Sequence, residues 1–434
     1  MSAVARLESQ LERSTRTWFN DERLPSEPPW LAQRRQLARE YFDRNGIPTI
    51  RLESFRFLPL TSITSESLRP AEYSETKIDG ASSPTAASIG FIDGHPQGSL
   101  DALPPGLRID RLGQLLSTEP GAMEPYFGNL AAPIHAFSAI GLAAFRDAWI
   151  IRVAAGASIE LPIDIIVQQK RGGYWAIPRL LIVLEANSQL RVIERHVRSE
   201  NSDFGLTTGV FEILLSEGAR LDHVRLCNRG AGEAELSATS VQVQANAHYH
   251  AWTATNGGML TRFDTHVRLV GRDARADLDG LYVARGKDIV DHHTVVVHEC
   301  ESTTVEESYK GIVDDEAQAV FDGLIVVKPG AQHTNAQQFN RNLLLSDKAV
   351  IHTKPQLEID ADDVVCSHGA TVGKLDEQQL FYLQSRGVSA EHAKQMLTRA
   401  FAAELIDRCP VSQAMPYLSA DLHSLFAGVE QGLG

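Results

Sequence analysis

No two cysteines of this 434-residue chain lie close together. Cys227, Cys300, Cys366 and Cys409 are 73, 66 and 43 residues apart, which excludes a C-x-x-C zinc knuckle, a zinc ribbon and a thioredoxin-like dithiol. So few thiols in a long chain suit a reducing compartment better than a disulfide scaffold. Long apolar runs are also lacking. Stretches such as LLIVL at 180–184 fall far short of the roughly 20 residues that cross a bilayer. The N-terminal MSAVARLESQLERSTRTW is charged and has no apolar core, predicting no signal peptide and a cytoplasmic location. Positive charge is in deficit, with 41 Lys and Arg against 55 Asp and Glu and a net charge of −14. Nucleic acid and anionic membrane both require basic surface, so the balance argues against either partner. GxGxxG, GxSxG and HExxH are absent, removing the familiar nucleotide, serine-hydrolase and zinc-protease signatures. GATVGK at 369–374 is one residue short between its glycines, and Leu375 stands where a phosphate loop needs Ser or Thr. Nucleotide binding there is excluded.

What the chain does have falls into three parts. LESQLERSTRTWF and WLAQRRQLAREYFDRNG carry apolar residues at helical spacing, and 61–105, rich in Ser, Thr, Pro and Gly, reads as a long irregular connection. From 149 to 375, short runs of Val, Ile and Leu alternate with turns that resemble one another: AAGASIEL, EANSQLRV, SEGARLDH, QANAHYHA and PGAQHT. The small residues Ala157, Ser188, Ala219 and Ala247 recur at spacings of 31, 31 and 28. A strand-rich repeat of that period predicts a β-solenoid, whereas turns in an antiparallel sandwich recur every 8–12 residues. After Lys374 the pattern is helical again. DEQQLFYLQSRG ends at Gly387, and Ser389 N-caps AEHAKQMLTRAFAAELIDR. Ala393, Leu397, Ala400 and Phe401 form one apolar face there, suited to capping the open end of the solenoid or to docking a partner. The expected division is a helical region with an irregular linker over 1–130, the solenoid core over 131–375 and a helical region over 376–434.

Candidate chemistry is sparse. In DDVVCSH (362–368) a strand would turn Asp362, Val364, Cys366 and His368 to one face. A thiolate beside an imidazole suits iron, copper or zinc, but two ligands cannot close a site. The others would come from Asp362, another strand or another chain, and an ordinary structural role stays open. Asp360, Asp362 and Asp363 could supply the acid and base of a β-helix polysaccharide hydrolase or lyase. His292, His293, His298 and the His248/His250 pair are further candidates that more often prove structural.

The residues 321–405, above all KPQLEIDADDVVCSHGATVGKLDEQQLFYLQSRG, resemble the C-terminal half of the SufB/SufD family of iron–sulfur cluster assembly proteins. SHGAT, where SufB proteins have EHEAT-like residues, points to the SufD branch. NLAAPIHAFSAIG (129–141) and YKGIVDDEAQAVFDG (309–323) fit the family pattern. GIPTIRLESFRFLPL (46–60) fits more loosely, with Phe55 where tryptophan is common and Phe57 where tyrosine is.

The resemblance implies a mainly β fold, a right-handed parallel β-helix core flanked by helical N- and C-terminal regions. It implies a non-catalytic scaffold with two partners. A SufB-type paralogue would pair along the last strands near Asp362 and Val364, and a SufC-type ABC ATPase would dock on the C-terminal helices at Phe381, Leu397 and Phe401. It further implies a transient iron–sulfur cluster at the paralogue interface, with His368 as ligand or proton acceptor and Cys366 as an auxiliary thiol, and no cofactor held tightly by this chain alone. A homodimeric iron or iron–sulfur scaffold acting without SufB is the second reading.

Overall fold

In the computed structural model, which describes residues 9–19, 27–76, 78, 83–98, 100, 102–130, 135–198 and 204–418, the short apolar runs are strands of a parallel β-solenoid of about 8 turns. Alternate strands stack into two sheets. One ends at Val350–Ile359 and the other at Val365–Gly373. The corners explain the repeat seen in the sequence. Gly156, Asn187, Gly218, Asn246, Asp273, Ser302 and His333 all have φ between 56° and 71°, a conformation that favours Gly, Asn and Asp. Each is followed by a small residue turned inward, with Ser188, Ala219, Ala247, Ala274, Thr303 and Thr334 all buried. Strand register repeats the 31-residue step from Ser158 to Gln189 to Arg220 and the 28-residue step on to His248. It then continues through Arg275, Thr304, Asn335 and Val365.

The interior divides lengthwise. One side is a continuous apolar core running from Ile89 and Trp149 through Val241, Val267, Val296 and Ile325 to Val327. The other carries polar side chains. About midway, His196 lies between Glu194 (2.5 Å) and Glu235 (2.8 Å), while Arg225 and Arg229 bind the same two carboxylates. Burial opposes a charge on His196, but Glu235 and Glu194 outweigh it and raise the imidazole's pKa. Both ring nitrogens therefore donate, and the cluster is a closed, paired network. Cys227, beside it, has its thiol pushed well up by burial and is inert.

The helical regions cover the solenoid's flanks. The helices Pro29–Asn45 and Ala136–Ala143 share a core with outward residues of the first sheet, among them Ile150, Leu181, Val210 and Leu236. The helix Ala390–Ile406 lays Ala402 and Leu405 on Leu281, Val283 and Ile312 of the second sheet. Trp252 Nε1 donates to Leu405 O at 2.9 Å. This corrects the expectation that the helix caps the open end. The residues it buries are Ala393, Thr398, Ala402 and Leu405, a stripe that shares Ala393 with the one read in the sequence.

The stretch 61–105 is less irregular than its composition suggests. Ala87–Ile92 and His95–Gln97 form an antiparallel hairpin around Asp93-Gly94, both at positive φ, and Ala87–Ile92 joins the second sheet. Residues 1–8 and 419–434 of the expected helical ends, and 131–134 of the NLAAPIHAFSAIG segment, lie outside the described residues.

Candidate functional site

Val365–Gly373 pairs with Asn335–Leu344 on one side, and among the described residues no strand lies on its other side. Val350–Ile359 likewise pairs only with Gln318–Val327. Two full-length parallel edges thus face outward together with exposed Val365 (69%) and Val372 (47%). Edges of this length and apolarity invite another strand.

The two edges are not equivalent. Val350 and Asp360 donate their N–H groups to the neighbouring strand, so alternation turns the main-chain groups of Ile351, Thr353, Pro355 and Leu357 outward. Pro355 is tolerated there because the donor it lacks belongs to the free edge, and it interrupts any pairing on that side. On the other edge Val365 N–H donates to Thr334 O at 2.9 Å. Cys366, His368, Ala370 and Val372 therefore present an unbroken row of donors and acceptors to the outside.

The same four residues turn their side chains to the inner face, in register with buried Ala336, Gln338, Asn340 and Asn342. Cys366 is half-buried against the end of the apolar core with Val364. Burial raises its thiol pKa, with a hydrogen bond from the Ala336 backbone working against it, so the thiol stays protonated until a metal or a positive group arrives. His368 is exposed. Asp362 stands in the bend before the strand, exposed, and not on the strand face the sequence assigned to it, because the strand begins at Val365. Among the described residues no group of three or more His, Cys, Asp or Glu could hold a metal ion, so Cys366 and His368 are at most half of a site.

Beneath His368 the inner face is polar in a way that alternation did not reveal. In NAQQFNRNLL (335–344) it is Phe339 that faces out, over Gly369 of the last strand, while Gln338, Asn340 and Asn342 face in. Tyr282 OH donates to Asn342 Oδ1 (2.5 Å), Asn342 Nδ2 to Asn340 Oδ1 (2.5 Å) and Gln338 Nε2 to Glu307 Oε2 (2.6 Å). The clue was the QxNxN spacing of Gln338, Asn340 and Asn342 where apolar residues belonged.

Burial lifts the Glu307 carboxyl from 4.5 to about 7, against the lowering effect of Gln338. A carboxyl with a raised folded pKa contributes stability that is full below about pH 4.5 and is lost as pH rises through 7. Glu307→Gln should flatten that decline, worth about 3 kcal/mol across the window. Urea unfolding of the two proteins at pH 5 and pH 8 measures it.

The other candidates prove structural. His292 is buried among the rings of Phe263, Tyr282 and Tyr309, and burial lowers its pKa to about 3. His293 faces out to Asp291, and His298 bonds Thr303 Oγ1 at 2.7 Å. His248 and His250 pair with Asp277 and Asp279 on the outer face. Asp360, Asp362 and Asp363 are all exposed on a turn, and Asp363 is engaged by His333 at 3.0 Å, so none of the three is the shielded acid that glycoside chemistry uses. Gly369 and Gly373 lie in the last strand, not in a loop.

The C-terminal helices present a second surface. Glu377–Ser385 buries none of its residues, and Phe381 (74%), Tyr382 (57%) and Met396 (42%) are exposed. Leu397 is half-buried. Phe401 packs on the solenoid with Lys310 Nζ 5.1 Å above its ring, while the same ammonium donates to Phe401 O and Glu404. Its ring anchors the helix.

Comparison with known proteins adds the following. The SufBD core domain of the SUF system of FeS cluster assembly matches residues 166–401. The chain is 29% identical to the chloroplastic protein ABCI7 of Arabidopsis thaliana over 84% of its own length and 79% of the relative's. It is 28% identical to an iron–sulfur cluster assembly SufBD family protein of Synechocystis sp. over 88% of both. With the iron–sulfur cluster assembly protein SufD of Escherichia coli it shares 36% identity over 52% of this chain and 53% of the relative.

Proposed function

Because this chain belongs to the SufB/SufD family of iron–sulfur cluster assembly proteins, in its SufD branch, we propose that it is a scaffold subunit whose last strand completes a shared assembly site with a SufB-type paralogue. One observation supports the reading: the strand with the unpaired edge, Val365–Gly373, is the one that carries Cys366 and His368. A partner strand added to that edge supplies both the missing hydrogen bonds and the missing ligands. The nascent cluster is cargo, held by His368 as ligand or proton acceptor with Cys366 as an auxiliary thiol, and released because neither subunit closes the site alone.

The exposed Phe381, Tyr382 and Met396 offer an apolar platform for a SufC-type ABC ATPase. ATP hydrolysis belongs to that partner. The helix Ala390–Ile406 is tied to the solenoid by Lys310 and Glu404 (2.7 Å) and carries its movement toward the seam. Co-purification of the chain expressed with both partner classes tests the proposal. A stable complex containing the ATPase and the larger paralogue is the expected result. A homodimer isolated alone would favour a scaffold acting by itself through two copies of the same edge.

A further inference from the structure

Glu307, Gln338 and His368 occupy one inward column in three consecutive turns, Glu307 in register with Gln338 and Gln338 with His368. Gln338 is fully buried, and its Nε2 donates to Glu307 Oε2 at 2.6 Å. With Glu307 ionised, only the NH₂ end of the amide can bond it, so this bond fixes which way Gln338 is turned. Its Oε1 has no hydrogen-bond partner among the described residues. A buried acceptor left unpaired costs about 1–3 kcal/mol, and such an atom in a native fold calls for a reason. The next position in the column lies about 4.8 Å away along the sheet. It holds His368, the one residue there whose ring can donate an N–H toward that oxygen and still offer a second nitrogen.

We infer that Gln338 is a positioning residue for His368. When the partner strand closes the seam, Gln338 Oε1 accepts a hydrogen bond from one ring nitrogen of His368. That bond selects the tautomer and aims the other nitrogen's lone pair at the incoming iron. A histidine ligand is generally oriented by a carbonyl or carboxylate on its other ring nitrogen, and here Glu307 holds that carbonyl in place. The inference rests on reading His368 as the group that meets the cargo.

The test uses the complex with this chain alone carrying ring-¹⁵N histidine, sedimented for solid-state NMR, with the His368 signals identified by their loss in His368→Ala. The wild type should show a single neutral tautomer at alkaline pH with one ring nitrogen hydrogen-bonded. Gln338→Met should show a mixture and lose cluster content about tenfold at unchanged subunit stoichiometry. The exchanged pair Glu307→Gln with Gln338→Glu keeps both an acceptor toward His368 and the bond behind it, and should restore the single tautomer. The same tautomer in wild type and Gln338→Met would overturn the inference, as would a mixture in the wild type. The reading beneath it fails separately, by normal cluster content in His368→Ala whatever the tautomer of the wild type.

Discussion

His368→Ala should leave the co-expressed complex at its wild-type stoichiometry and abolish cluster formation, read as the loss of visible absorption and of bound iron after anaerobic reconstitution. The two halves of this result have separate physical causes. The imidazole is exposed in the unpaired chain, so truncating it opens no cavity, and changes at such positions usually stay within about 0.5 kcal/mol. The ladder with Asn335–Leu344 is made by main-chain atoms and survives the change. What disappears is the imidazole on the inner face of the last strand, and no neighbour replaces it: the side chains of Ala370 and Val372 have no ligand atoms, and burial keeps the Cys366 thiol protonated. Cys366→Ser should therefore lower the yield without removing it. Normal iron content in His368→Ala would make the Cys-Ser-His sequence architectural.

Ala370→Pro separates the fold from the assembly. Ala370 turns its N–H to the free edge, so proline there removes no bond from the existing ladder but deletes a donor and sets a ring where the partner strand must approach. Association with the paralogue should weaken at least tenfold, about 1.4 kcal/mol, with thermal stability of the isolated chain little changed. Thr371→Pro, one residue on, reverses the pattern by breaking the bond toward Asn335–Leu344 and fraying the last strand. Both are read by titrating the isolated chain with the paralogue and by thermal unfolding. Equal association of wild type and Ala370→Pro would place the interface elsewhere.

The solenoid was legible because each corner writes two constraints into adjacent residues, a left-handed conformation and then a small inward side chain. Gly156-Ala157, Asn187-Ser188, Gly218-Ala219 and Asn246-Ala247 show both plainly. The count read from the sequence stopped at Ala247, one corner before Asp273-Ala274, which has the same form, and the later corners Ser302-Thr303 and His333-Thr334 use residues that meet the constraints less visibly. The placing of the C-terminal helix was not legible, since a stripe such as Ala393, Leu397 and Phe401 fits the mouth or the flank of a solenoid equally well. Deciding needed the apolar outer face of Leu281, Val283 and Ile312, contributed about 90 to 120 residues earlier. The edge left a local trace in Pro355, which a central strand would not tolerate. Cys366 and His368 were visible as a pair by alternation, but only the family resemblance attached a role to them; Gln338 and Glu307 were not legible at all, because their place in the column of His368 runs through a register of about thirty residues per turn.

The central claim is that Val365–Gly373 gains a strand from the paralogue, and amide hydrogen exchange tests it most directly. In the isolated chain the amides of Cys366, His368, Ala370 and Val372 should exchange much faster than those of Ser367, Gly369 and Thr371, which the ladder already protects. On adding the paralogue, those four should slow by at least two orders of magnitude while Ile351, Thr353 and Leu357, on the edge interrupted by Pro355, change less. Unchanged exchange at Cys366, His368, Ala370 and Val372 in a complex that has demonstrably formed would contradict the account.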